Sequence, residues 1–395
     1  MGAMQPLATL SGDRLRVAGL VTAHSHAFQL ALRGNTQRAP AETGTFWSWR
    51  EAMYRLATSL TPDSIARVSR RAFDLLRRAG VTTVGEFHYV HHQPDGTPYD
   101  DRTLLADTVI EAALAAGLRV TLLRAAYARA GHGRPPEPGQ RRFCDRDADD
   151  VIRDLDALRA RWRDHPRVRI GVAPHSVRAV PREWITALYD YARAHAMPFH
   201  MHVAEVQGEV DACLAEHGRR PVELLADLGV IDARFVAVHA TRLLPHEAKI
   251  LGDARAFACA CPTTERDLGD GLADLGALRE AGVRLCTGID SHVVTDPVED
   301  LRALESHERL RLRRRVTFTP PEGRTPAEQL LVDGSAHGAL ACGWNLALQG
   351  DRTTWSPRTV IDRGHPALAD VPDEAIVDGW VFSGPVDAVV GVEGV

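Results

Sequence analysis

The chain has 395 residues, 45% of them hydrophobic and 25% charged, an ordinary globular composition with room for one large α/β domain. A net charge of −5 gives nucleic acid or an acidic membrane no electrostatic footing, and neither is expected as a partner. No N-terminal apolar run reads as a signal peptide and no stretch is long enough to span a bilayer, so the expected location is the cytoplasm.

In chain order, Leu7 to Val17 predicts one or two short strands, and Val17 to Ala23 a buried strand leading into His24-Ser25-His26. Alternation along a strand puts both imidazoles on one face and Ser25 on the other, and neutral ring nitrogens suit a divalent metal. Phe46-Trp47-Ser48-Trp49-Arg50 follows in a long loop and short helix. Thr61 caps a helix that begins with Pro62 and stops at Gly80. Val81 to Phe87 predicts a second strand, Arg119 to Ala125 a third, Val168 to Ala173 a fourth and Pro198 to Val203 a fifth. Phe235 to Val238, Ala256 to Ala260 and Val283 to Ile289 complete the set. Helices are predicted over Asp101 to Ala116, Asp147 to Trp162, Pro181 to His195 and within Gly208 to Gly229. Gly131 to Gln140 reads as a loop, a candidate lid.

Eight short strands alternating with helices imply a parallel sheet closed into a (β/α)8 TIM-type barrel. An open doubly wound sheet is the rival, without a G-x-G-x-x-G after an early strand to favour it. Helices are expected from Pro297 to about Leu348, then strand-like stretches at Arg358 to Ile361, Ile376 to Phe382 and Ala388 to Val392. The two chain ends (1–17 and 357–395) are expected to form a small β-sandwich-like appendage on a barrel spanning 18–356.

Barrel chemistry sits at the carboxyl ends of the strands. There the sequence offers His24 and His26 on the first strand, His202 and Glu205 on the fifth, His239 on the sixth and Asp290 on the eighth. Each alone reads as a surface or cap residue. Together they supply three nitrogens and a carboxylate with room for a water, whose pKa a divalent ion lowers towards about 7. Glu205 and His239 are candidates to move its protons. Lys249 is the only lysine among 47 basic residues, so none ends the fourth strand to carry a bridging carbamate, and one metal is expected. Histidine and carboxylate ligands accept zinc, iron, manganese or cobalt. The six cysteines are read as buried free thiols, with Cys259 and Cys261 the one pair sharing a strand face.

These residues resemble the amidohydrolase superfamily in its mononuclear deaminase branch. His24-Ser25-His26-Ala27-Phe28-Gln29, Phe46 to Met53, Gly85-Glu86-Phe87-His88-Tyr89, His175 to Val180, Pro262 to Leu268 and Asp290-Ser291-His292 are similar, more narrowly, to the formiminoglutamate deiminases of histidine degradation. The resemblance implies zinc, with Fe2+ or another divalent ion the alternative, on His24, His26, His202 and Asp290. It implies Glu205 and His239 as the proton-transfer pair, with Gln29, Arg50, Tyr89, His175 and Arg178 holding a small substrate that carries carboxylates. Hydroxide would attack the formimino carbon and ammonia would leave, giving N-formyl-L-glutamate. It also suggests a homodimer. Two other readings compete: a relative acting on another formimino, amidine, guanidine or nucleobase-like compound, and a catalytically dead barrel serving as a binding protein. Two arginines at the rim discriminate, because a neutral heterocycle gives no reason for them.

Overall fold

The computed structural model describes residues 6–38, 44–318, 320, 323–344 and 357–395. Two short strands, β1 (Ala8–Ser11) and β2 (Arg14–Ala18), form an antiparallel hairpin before the chain enters the barrel. The barrel strands are β3 (Leu20–Ser25), β4 (Val81–His88), β5 (Arg119–Ala126), β6 (Val168–Pro174), β7 (Phe199–Val203), β8 (Phe235–His239), β9 (Phe257–Ala260) and β10 (Arg284–Thr287). Their side chains are almost all buried, which explains the near-continuous apolar runs that encode them. Each strand pairs in parallel with its neighbour in sequence, from β3 to β10. A parallel bridge between Ser25 and Asp290 joins the two ends of the sheet, so the barrel of the sequence analysis forms.

Local signals set the helices. Thr61 accepts from the Ser64 amide while the Ser64 hydroxyl takes the Thr61 amide, and the helix Pro62–Arg78 follows. Thr45 and Ser48 do the same for Phe46–Ser59, so the expected short helix runs for 14 residues. Asp147 caps Ala148–Trp162. The segment Gly131 to Gln140 does not hang free: it runs into a 3-10 turn, Pro138–Phe143, and Gln140 is fully buried. Of the helices expected up to Leu348, those described are Pro297–Leu312, Pro326–Val332 and Gly338–Ala341, while 345–348 lie outside the described residues.

The appendage is one antiparallel sheet in the order β1-β2-β11-β12, with β11 at Arg358–Asp362 and β12 at Val389–Glu393. Thr359 fastens it to the barrel: its hydroxyl accepts from the Leu20 amide at 3.1 Å and donates to the Gly80 carbonyl at 2.7 Å. Gly80 adopts φ +90°, and a Cβ there would stand 2.5 Å from Thr359 Cγ2, so backbone conformation and close approach both require glycine. One expected strand is corrected. Ile376 to Phe382 lies in a helix, Ile376–Ser383, that buries Ile376, Trp380 and Val381. A short apolar run carries no decisive period, and here the buried positions recur at helical spacing. Among the described residues no helix is long and apolar enough to cross a membrane.

A buried ion-pair network braces the barrel. The Arg124 guanidinium, 1% exposed, donates to Asp145 and Asp154, each at 2.6 Å, and Arg102 shares Asp154 at 2.7 Å. Arg124→Ala would leave two buried carboxylates short of their counter-charge. A loss of about 3–5 kcal/mol is expected, read as a lower unfolding midpoint in urea.

Candidate active site

The site assembles at the seam where the barrel closes. The His26 amide donates to the Asp290 carbonyl at 2.9 Å, and the Asp290 amide donates to the His24 carbonyl at 3.1 Å. As the alternation predicts, His24 and His26 face one another, with their Nε2 atoms 3.1 Å apart. Ser25 turns the other way, donating to Glu86 at 2.5 Å and lying 2.9 Å from His292 Nε2, while the Ala27 amide donates to Glu86 at 2.7 Å. Glu86 and His292, both within motifs quoted above, therefore hold the turn that carries the two histidines. Gly288 makes room for the first of them: a Cβ there would meet His24 Cβ at 2.6 Å. Backbone at three strand ends is left-handed, with φ of 52° at Ala204, 68° at His239 and 53° at Asp290, a strain that tightly packed functional sites sustain.

His24, His26 and His202 each offer a ring nitrogen within 4.8 Å of the others, and His24, His239 and Asp290 form a second such group. Asp290 Oδ1 lies 3.4 Å from His24 Nε2 and 3.3 Å from His26 Nε2. The outer nitrogens set the tautomers. His26 Nδ1 donates to the Phe87 carbonyl at 2.8 Å and His202 Nδ1 to the His175 carbonyl at 3.0 Å, which leaves lone pairs on the inward Nε2 atoms. Burial keeps these rings neutral, pushing His26 down to about 3 and lowering His24 and His202 as well. Burial opposes the Asp290 charge, yet the facing His24, His239 and His26 rings hold its carboxyl below the usual range. His24 Nδ1 is buried without a partner among the described residues, while two inward lone pairs, the His24 ring and a carboxylate converge in a dry pocket, a donor set that fits a divalent ion. His200 sits on the same strand face as His202 but bonds the Ala341 carbonyl at 2.8 Å instead.

Above this cluster opens a cleft lined by His26, His202, Glu205, His239 and Asp290 and by Gln29, Arg50, Tyr89, His175 and Arg178. Every residue that sequence reasoning proposed is thus at one place, with His24 beneath the floor. Glu205 Oε1 is 3.5 Å from His239 Nε2, and burial pushes the Glu205 carboxyl up to about 8. Gln29 donates to the Tyr89 hydroxyl at 2.8 Å, and its buried Oε1 has no partner among the described residues. The Arg50 guanidinium lies over the Trp47 ring at 4.5 Å, and its buried Nε has no partner among the described residues. Among the described residues the Arg178 side chain makes only long hydrogen bonds, 3.4 Å to the Tyr127 hydroxyl and 3.4 Å to the Ala130 carbonyl. His175 stacks on His202 at 4.7 Å and anchors it through its own carbonyl.

Sequence reasoning missed part of the wall. Tyr54 and Tyr127 line the cleft, and Gln140 donates to both hydroxyls, at 3.0 and 2.9 Å. Tyr127 follows the end of β5, where the strand-end rule would have found it, and Tyr54 is one helical turn beyond Arg50. Glu265 bonds His239 Nδ1 at 3.2 Å from within the Pro262 to Leu268 motif.

A family model described as the amidohydrolase family matches residues 16–346. The chain belongs to the amidohydrolase family. This amidohydrolase is similar to the formimidoylglutamate deiminase of Pseudomonas aeruginosa, at 38% identity over 378 residues, 93% of this chain and 80% of that one. Among solved structures it is similar to an amidohydrolase from Brucella melitensis, with TM-score 0.85, 34% identity, and coverage of 95% of this chain and 87% of that one. An adenosine deaminase from Xanthomonas campestris, solved with bound zinc, shares the fold at TM-score 0.77 and 21% identity, over 96% of this chain and 79% of that one. Membership of the family and the deiminase relative make the protein a hydrolase acting on C–N bonds.

Gly288→Ala is expected to displace His24 and lower the divalent metal bound per chain. Metal analysis after dialysis against excess zinc checks this, with circular dichroism showing that the barrel persists.

Proposed function

We propose that this amidohydrolase is a zinc-dependent deiminase that converts N-formimino-L-glutamate to N-formyl-L-glutamate and ammonia. The observation that carries the substrate is the pair Arg50 and Arg178. Both face the cleft above the proposed metal ligands, and among the described residues neither pairs with a carboxylate at ion-pair distance, Glu209 acting on Arg178 only from further away. Surface hydration or structural ion pairing, the ordinary fates of arginine, explain neither. A substrate with two carboxylates does, since each guanidinium offers a planar pair of donors. The deiminase relative in Pseudomonas aeruginosa supports the same reading.

Zinc held by His24, His26, His202 and Asp290 would supply hydroxide at neutral pH and polarise the group under attack. The chain's own residues do the rest. Arg50 and Arg178 take the carboxylates, and Gln29 Oε1 accepts from an N–H of the formimino group. Glu205, protonated near neutrality because burial pushes it to about 8, delivers a proton to the departing nitrogen. His239, 3.5 Å from Glu205, exchanges protons with it. Water adds across the C=N bond, the C–N bond to the terminal nitrogen breaks, and the nitrogen leaves as ammonia while the carbon keeps oxygen as a formyl group.

The test is ammonia release by zinc-loaded protein given N-formimino-L-glutamate. Wild type is expected to turn over and Asp290→Ala to be inactive. Arg50→Met and Arg178→Met are each expected to lower kcat/KM by about 10- to 100-fold, the loss of a hydrogen bond to a charged group. No release from wild type holding one zinc per chain would overturn the substrate and direct the search to other amidines. Protein that holds no zinc would overturn the whole reading and favour a binding role.

A further inference from the structure

His239 is buried among three carboxylates, and its two ring nitrogens have different neighbours. Nε2 points into the site, 3.5 Å from Glu205 Oε1 and 3.9 Å from Asp290 Oδ2. Nδ1 points away from it, 3.2 Å from Glu265 Oε1. Both partners of that outer contact are dry, with His239 1% and Glu265 5% exposed. Glu265 cannot easily swing aside, because the Cys261 amide donates to the same Oε1 at 2.8 Å and the Glu265 amide returns a bond to the Cys261 carbonyl at 2.9 Å. The carboxylate is thereby fixed at the start of the helix Pro262–Leu268, beside the end of β8.

We propose that Glu265 is a positioning residue: its carboxylate holds the His239 imidazole with Nδ1 protonated, so that Nε2 alone exchanges protons with Glu205. An ionised carboxylate only accepts hydrogen bonds, so an imidazole beside it keeps a proton on the facing nitrogen. The other nitrogen is then the end that gains and releases a proton during turnover, the division of labour that a carboxylate–histidine pair provides in other hydrolases. The inference rests on His239 being a proton-transfer group, and not on the identity of the substrate.

The test compares zinc-loaded wild type, Glu265→Gln and Glu265→Ala by two readouts. One is the side-chain NMR signal of nitrogen-isotope-labelled histidine, recorded without substrate and assigned by loss in His239→Gln. The other is kcat and KM for ammonia release. In Glu265→Gln the Cys261 amide keeps the side-chain oxygen as an acceptor, so His239 should retain the Nδ1-protonated pattern and kcat should stay within about threefold of wild type. In Glu265→Ala the signal should shift to mixed tautomers, with kcat down about tenfold or more and KM within about twofold. Wild-type imidazole signals in Glu265→Ala would overturn the proposal, and so would an unchanged kcat. A fall in kcat matched by lost zinc, with His239 signals unmoved, would also overturn it and leave Glu265 a helix cap. Wild type inactive on N-formimino-L-glutamate but with the Nδ1-protonated signal would sink only the substrate.

Discussion

The closing seam of the barrel is the constraint on which the rest depends. The two backbone bonds that join Asp290 to His24 and His26 complete the eight-stranded ring and fix three candidate ligands relative to one another. A ligand set that arises from barrel closure needs no loop to be ordered, and ligands on rigid elements hold their geometry well. The remainder of the local structure serves this seam. Ser25 is tied to Glu86 and His292, Gly288 lets His24 approach, and the Phe87 and His175 carbonyls orient His26 and His202. Each is a contact behind a candidate ligand, of the kind whose loss typically costs about 10- to 100-fold in metal affinity.

The electrostatics follow from burial. Imidazoles in a dry pocket stay neutral, which is the form a metal binds, and a carboxylic acid in the same pocket keeps its proton to higher pH. One environment therefore suits His26 and His202 to the proposed ligand role and Glu205 to the proposed role of proton carrier. His239 departs from this pattern because Glu205, Glu265 and Asp290 surround it. Burial lowers its proton affinity, but the three carboxylates raise it well above the ordinary histidine value. Both neighbours are thus shifted towards holding a proton, Glu205 by burial and His239 by the carboxylates around it.

The barrel was legible in the sequence because its strands are buried on both faces and separated by strong caps and stops, such as Thr61 with Pro62 and the Gly80 turn. Strand-end histidines could be found by rule, since the alternation places His24 and His26 together and the fold places strand ends together. What failed was the short apolar run Ile376 to Phe382, whose helical state follows from packing of Trp380 rather than from any period in seven residues. Tyr127, just past β5, was within reach of the strand-end rule, whereas Glu265 and Tyr54 escaped for another reason. Their roles are relations between distant elements, and neither the helix from Phe46 nor the turn carrying Gln140 announces in sequence that it meets β5 over the cleft.

The origin of the two groups of residues separates reaction from specificity. Of the proposed metal ligands, His24 lies on β3 and His26 just past its end, His202 on β7 and Asp290 just past the end of β10, while His239 ends β8, so the ring itself carries the proposed chemistry. Arg50 comes from a helix inserted between β3 and β4, and Arg178 from the loop after β6. Under the proposed function, changes in those segments would alter which molecule is held and leave the closing seam in place. This is why a fold shared at 21% identity with an adenosine deaminase says little about substrate, and why the two cleft arginines say more. A planar heterocycle asks the wall above the metal for stacking and neutral hydrogen bonds. This wall instead offers two guanidinium groups, with the tyrosines between them held by Gln140, an arrangement of donors suited to carboxylates.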